Sequence, residues 1–178
     1  MNILITGNPG IGKTTAIKKM VQYLGKEKAC GFWSEEIRES DRRVGFAIYT
    51  LDGKTAQLAH VNLKSGPRVG KYLVNIEGIQ QYIIPALVDA REKRSWIIID
   101  EIASMELKCD QFASEVRRCL DTGRVIGTLQ LRSGSFQDEV RRRPDVLLLH
   151  MTHENREEIP DKVLRILESA TSSFSPEV

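Results

Sequence analysis

Ile3-Leu4-Ile5-Thr6 runs directly into Gly7-Asn8-Pro9-Gly10-Ile11-Gly12-Lys13-Thr14-Thr15, a short apolar stretch followed by a glycine-rich curl that closes on a lysine and two threonines. The spacing Gly-x-x-x-x-Gly-Lys-Thr is met by Gly7, Gly12, Lys13 and Thr14, and this is the spacing of a phosphate-binding loop between a strand and a helix. The context agrees, because Thr15 to Leu24 is compatible with a helix. Successive backbone N–H groups in such a curl point inward as an anion nest, and the N-terminus of the helix adds its unpaired N–H groups and dipole. Gly7, Gly10 and Gly12 keep the backbone bare and free to take positive φ. Asn8, Pro9, Ile11 and Thr15 complete the cradle, and Pro9 stiffens it. Lys13 is expected to reach the β- and γ-phosphates of a nucleotide. The Thr14 hydroxyl is expected to ligate a bridging Mg²⁺.

A second stretch, Trp96-Ile-Ile-Ile-Asp100-Glu101, is an apolar strand ending in two acids. An acid at the end of a buried strand is expensive unless it meets a cation. Beside a phosphate loop that cation is Mg²⁺, so Asp100 is assigned to the metal opposite Thr14. Glu101, one residue further, is assigned to orient and polarise the water that attacks the γ-phosphorus. An acid in that position resembles P-loop enzymes of the RecA and AAA type. Glu106 is open between bracing Lys13 or the metal shell and facing solvent.

The chain has 178 residues, 28% of them charged, and a net charge of only +2. One domain over residues 1–170 is expected, with a loose tail over 171–178. The weak net charge gives no call for nucleic acid or a membrane surface, and Arg141-Arg142-Arg143 reads as a solvated helix end. Three widely spaced cysteines, without a Cys-x-x-Cys pair, favour a reducing compartment. Met1-Asn2-Ile3 enters a strand at once and leaves no room for a signal peptide, so a cytoplasmic location is expected.

Strands are expected near Asn2–Thr6, Ala29–Ile37, Trp96–Asp100, Val125–Leu131 and Val146–Met151, and they alternate with helices near Lys13–Leu24, Glu77–Glu92, Asp110–Thr122, Ser135–Arg143 and Glu157–Ala170. This is the pattern of a doubly wound, mainly parallel α/β sheet with helices on both faces. Pro85 is expected to interrupt or kink the second helix. Val44–Leu51 and Thr55–Ala59, joined by Asp52-Gly53, form an antiparallel hairpin excursion. Tyr72–Ile76 is a further short strand.

Several segments together resemble the cancer-related nucleoside-triphosphatase family of small P-loop enzymes. They are Gly31-Phe-Trp-Ser-Glu-Glu-Ile-Arg38-Glu, Arg42 to Gly53, Val69 to Gly78, Ile99 to Leu107 and Thr152-His-Glu-Asn155-Arg156-Glu-Glu-Ile-Pro160. The likeness extends over Met1 to Leu167. It departs at Ala103-Ser104, where the family commonly has Gly followed by Lys or Pro. The resemblance implies Mg²⁺-dependent hydrolysis of ATP, GTP and other nucleoside triphosphates to diphosphate and phosphate, at modest turnover. Arg38, Arg42, Arg43, Arg68 and Arg132 are candidates to supply charge in the transition state. Arg38 is the first choice, because it follows a strand expected to end at the catalytic edge. Asn155 or Arg156, after the last strand, is a candidate to touch the base or ribose, against the alternative of an N-cap at Asn155 or nearby with solvent-facing charges. Competing readings are a nucleotide or polynucleotide kinase with Arg132 to Arg143 as a lid, and a nucleotide-switched binding module. A nucleic-acid motor is disfavoured by the weak charge and the lack of a second motor domain.

Overall fold

A computed structural model describes residues 1–25, 27–93 and 95–172. The apolar runs read as strands form one nine-stranded sheet. Its parallel part contains β1 (Asn2–Thr6), β2 (Ala29–Glu39), β7 (Trp96–Ile102), β8 (Val125–Leu129) and β9 (Val146–His150), in the spatial order β2-β7-β8-β1-β9. The chain leaves β1 for β2, three positions away, fills the gap with β7 and β8, then steps over β1 to β9. One strand therefore stands between the strand that feeds the phosphate loop and the strand that carries the acids.

Strict alternation along the parallel strands divides the core into two layers. Ile3, Ile5, Ile98 and Ile126 pack on one face with Ile17 and Met20 of α1 (Lys13–Leu24) and with Val163 and Leu167 of α6 (Ile159–Ser172). Leu4, Ile97, Ile99 and Val125 pack on the other face with Leu87 of α3 (Ile84–Glu92), Phe112 and Val116 of α4 (Asp110–Asp121) and Val140 of α5 (Ser135–Arg141). The doubly wound architecture expected from sequence is the architecture found. No helix among the described residues is long and apolar enough to cross a membrane, and all three cysteines are free.

The excursion is larger than the hairpin read from Asp52-Gly53. β3 (Arg42–Thr50) pairs antiparallel with the outer side of β2. β4 (Thr55–His60), β6 (Tyr72–Val74) and the two-residue β5 (Arg68–Val69) follow in the order β5-β6-β4-β3. β2 also runs past Ile37 to Glu39 and turns through Ser40 and Asp41, with φ of 45° and 61°. Two consecutive positive φ values make the primed turn that suits strand twist. Serine at the first position carries a weaker signal than glycine or asparagine, which is why the sequence does not display the turn.

Asn75 starts the next helical segment, its side chain accepting a hydrogen bond from the Gly78 N–H at 3.0 Å. The segment runs through α2 (Ile76–Gly78), a π-helical turn at Ile79–Ile83 and then α3. The irregular winding comes before Pro85, whose ring cannot donate to the preceding turn. α6 continues to Ser172, so the first two residues of the expected tail are helical; 173–178 lie outside the described residues.

Candidate active site

The loop hangs between β1 and α1. Gly10 and Gly12, at φ of 78° and 110°, occupy backbone conformations that side chains disfavour. At Gly7 a Cβ would come within 2.6 Å of the Met151 carbonyl oxygen just beyond β9, so the curl fits against the exit of that strand only when the side chain is absent. Ile11 is buried in the α1–α6 layer and pins the middle of the loop, and its N–H donates to the Asn8 carbonyl at 3.2 Å. Pro9, Gly10, Gly12, Lys13, Thr14 and Thr15 line a crevice of about 540 Å³. The Lys13 ammonium bonds to the Gly7 carbonyl at 3.1 Å and the Asn8 carbonyl at 3.5 Å.

The two acids converge on this loop across the intervening strand. Alternation sends Asp100 to the face of Ile98, which is the face of α1, and the Thr14 hydroxyl donates to its Oδ2 at 2.7 Å. Thr128 on β8 donates to Oδ1 at 2.6 Å. Asp100 is 1% exposed. Burial pushes its carboxyl upward, and the two hydroxyl donors and the Lys13 charge work against that rise.

Simple alternation would send Glu101 to the opposite face. Ile99 pairs with Gly127 and Ile102 with Leu129, three steps along β7 against two along β8. This bulge absorbs one residue and frees Glu101 to face the crevice. Its Oε1 lies 3.4 Å from Lys13 Nζ, with the side chain 27% exposed. Burial raises the Glu101 pKa and Lys13 opposes the rise.

Glu106, at the start of a 3₁₀ turn (Glu106–Lys108), borders the same crevice. It is 2% exposed, and its Oε2 has no hydrogen-bond partner among the described residues. Burial pushes its carboxyl up to about 8, with the charges of Glu101 and Asp100 adding to the rise. At neutral pH it holds its proton. Of the alternatives read from sequence, the solvent-facing one does not hold, and Lys13 pairs with Glu101 rather than with Glu106. Ala103-Ser104 still makes a turn, with the Leu107 N–H donating to the Ala103 carbonyl at 3.1 Å and Ser104 Oγ donating to Gln130 Oε1 at 2.8 Å.

The arginines sort differently from the sequence expectation. Arg38 is not brought to the crevice. Because β2 continues to Glu39, Arg38 sits near the hairpin tip, 56% exposed, bonded to Glu36 Oε2 and the Asp41 carbonyl, both at 3.0 Å. Its cross-strand neighbour Arg43 borders the crevice instead. The Arg43 guanidinium donates to Glu36 Oε1 at 2.7 Å and to Tyr72 Oη at 2.9 Å, and lies 5.2 Å from the Phe46 ring centroid. Arg42 and Arg68 are exposed on the excursion, and Arg132 borders a separate hollow beside α5. Arg141, Arg142 and Arg143 are held at the end of α5 by bonds to Asp138, Asp121 and Asp145, and the lid of the competing kinase reading is not formed over the crevice.

Asn155 is likewise committed to its own loop. Its Nδ2 donates to the His150 carbonyl at 2.9 Å and its Oδ1 accepts from the Thr152 N–H at 2.8 Å. Arg156, with Lys19, Thr15 and Pro160, borders a smaller hollow of about 160 Å³ beside the loop. Glu36 and Gln130, which border the crevice, and Thr128, which bonds to Asp100, are not singled out by the sequence motifs, because sheet order brings them there.

A glycine-rich phosphate cradle, a helix N-terminus, and a buried acid bonded to the cradle threonine across one strand define a P-loop nucleoside-triphosphate enzyme. The family described as NTPase matches residues 2–164. Nucleoside-triphosphatase THEP1 of Thermotoga maritima is 40% identical over 168 residues, covering 94% of this chain and 95% of that protein. The human cancer-related nucleoside-triphosphatase is 34% identical over 185 residues, covering 95% and 97%. The crystal structure of THEP1 from Aquifex aeolicus superposes with a TM-score of 0.85 at 40% identity, covering 94% of this chain and 99% of that one. The chain belongs to the NTPase family, enzymes that hydrolyse nucleoside triphosphates.

Proposed function

We propose that the chain is a Mg²⁺-dependent nucleoside triphosphatase that cleaves ATP, GTP and other nucleoside triphosphates to diphosphate and phosphate, with Glu101 orienting the attacking water. The observation that carries this reading is the 2.7 Å bond from Thr14 to buried Asp100 beside the Lys13–Glu101 pair. One hydroxyl and one carboxylate suit Mg²⁺, which completes its shell with phosphate oxygens and water rather than with a protein cage. When bound, that ion neutralises charge on the β- and γ-phosphates. Lys13 exchanges its carbonyl partners, Gly7 and Asn8, for phosphate oxygens, and the loop amides hold the remaining charge.

Glu101 accepts a hydrogen bond from water lying in line with the γ-phosphorus and takes its proton as the bond forms. Thr128 holds Asp100 in place through its second oxygen. Arg43, rather than Arg38, supplies transition-state charge by releasing Glu36 and turning from Phe46 toward the γ-phosphate. The nucleoside leaves the loop toward the hollow bordered by Lys19 and Arg156, and Asn155 shapes the turn that carries Arg156. The protein acts as one domain in a reducing, cytoplasmic setting.

The test is phosphate release from ATP, GTP, CTP and UTP, with Mg²⁺ and with EDTA. Wild type, Lys13→Ala and Glu101→Gln are compared, with nucleotide binding measured in parallel. Lys13→Ala is expected to lose binding and turnover. Glu101→Gln is expected to bind normally and lose about a hundredfold or more in turnover, the size of a general-base contribution. Undiminished turnover in Glu101→Gln, or in EDTA, overturns the corresponding assignment.

A further inference from the structure

The crevice continues where hydrolysis has no use for it. On the reading above, the terminal phosphate lies at Thr14, Asp100 and Glu101, and the nucleoside extends toward β9 and α6. Beyond the acids, in the opposite direction, the wall is built by the antiparallel excursion. Phe46 of β3, Leu58 of β4 and Val69 of β5 border the crevice there, and Met105 also lines it. A water molecule is held by polar partners, and the apolar side chains of this wall offer none.

Polar groups rim this apolar wall and remain incompletely matched. Among the described residues Glu106 Oε2 is buried without a hydrogen-bond partner at the crevice border, an arrangement that is costly unless a partner arrives. Gln130 spends its amide oxygen on Ser104 and Gln137. Its amide nitrogen has no partner among the described residues. An apolar body with a few convergent polar groups is the usual make-up of a small-molecule site.

We infer that this compartment takes a second substrate, a small ring-bearing alcohol, and that the enzyme transfers the γ-phosphoryl group to its hydroxyl. The ring lies against Phe46, Val69 and Met105, and polar atoms on its edge meet Glu106 and Gln130. The hydroxyl occupies the position of the attacking water. Its oxygen forms a bond to the γ-phosphorus, and the bond from that phosphorus to the β-bridging oxygen breaks. The electron pair stays on the diphosphate, and the hydroxyl proton passes to Glu101. The products are a phosphate monoester and a nucleoside diphosphate.

Phosphorus NMR of ATP turnover with Mg²⁺ tests this, using millimolar benzyl alcohol, 3-hydroxymethylpyridine or uridine, with glycerol as the ringless control. A new monoester signal is expected with at least one ring alcohol and none with glycerol. Val69→Trp, which fills the compartment, is expected to lower the ester-to-phosphate ratio roughly tenfold, the scale of steric exclusion from a pocket, and to leave phosphate release in water alone unchanged. Val69→Leu is expected to retain the ratio. Inorganic phosphate as the sole product with every alcohol overturns the inference and leaves hydrolysis standing. Ester formed equally with glycerol, or equally by Val69→Trp, also overturns it. Failure to cleave ATP at all overturns both this inference and the hydrolase reading.

Discussion

Replacing Glu106 by glutamine keeps the shape of the side chain and removes its ability to ionise. In the folded protein the Glu106 carboxyl loses its proton at about 8, against an ordinary value of 4.5. Between those limits the folded chain binds more protons than the unfolded chain, so stability falls as pH rises through the window. Each pH unit in the interval is worth about 1.4 kcal/mol. Integrated from about pH 5 to pH 8, the loss is roughly 3 kcal/mol. For a chain of this size that corresponds to a Tm change of roughly 10 °C. The glutamine variant lacks this dependence, while other titrating groups are common to both proteins and cancel in the difference. Thermal unfolding without nucleotide, followed by circular dichroism, is the assay. The two proteins are expected to melt within a few degrees of each other near pH 5, and the variant is expected to melt progressively higher as pH 8 is approached. A difference that stays constant across the range would show that Glu106 is already ionised or already partnered, and would remove it from the buried, proton-holding state described above.

Thr128→Val is expected to lower turnover about tenfold while leaving the fold intact. It removes one hydroxyl donor to Asp100, a bond to a charged group worth roughly 1.5–3 kcal/mol, and steady-state phosphate release checks it. Arg43→Ala is expected to reduce turnover by about a hundredfold or more and Arg38→Ala by less than about threefold, in line with the worth of a transition-state arginine; the same assay on both variants separates them. Gly7→Ala is expected to weaken nucleotide binding and lower Tm together, because its Cβ would press within 2.6 Å of the Met151 carbonyl. Titration with a fluorescent nucleotide, set beside a melting curve, checks the coupling.

The phosphate loop is legible in the sequence because its chemistry is local. Gly7 to Thr15 form the curl through their own backbone, and spacing alone fixes which of them line the crevice. The acids are legible for a related reason: an apolar strand that ends in Asp100-Glu101 declares a buried charge in need of a partner. Their phase is not legible. That both carboxylates serve one crevice depends on the bulge against Gly127 and Leu129, which is a property of the pairing between β7 and β8. Arg43 rather than Arg38 borders the crevice because β2 runs to Glu39, two residues past the end that the sequence suggests, and a short slip along a strand changes which arginine lies at the crevice. Thr128, Gln130 and Glu36 carry no signal of their own, since they matter only once sheet order sets their strands beside the loop.

The excursion has one more effect, on the molecule's dealings with its neighbours. Without β3, the parallel core would end on the eleven residues of β2, a long open edge able to pair with any extended chain. The added strands shorten step by step to the two residues of β5, beside Gly66-Pro67 and under Arg68. An exposed margin of two residues, carrying a charge and flanked by a proline, gives little template for aggregation. Excising the excursion would uncover that template, and such a truncated chain is expected to be lost to insoluble assemblies.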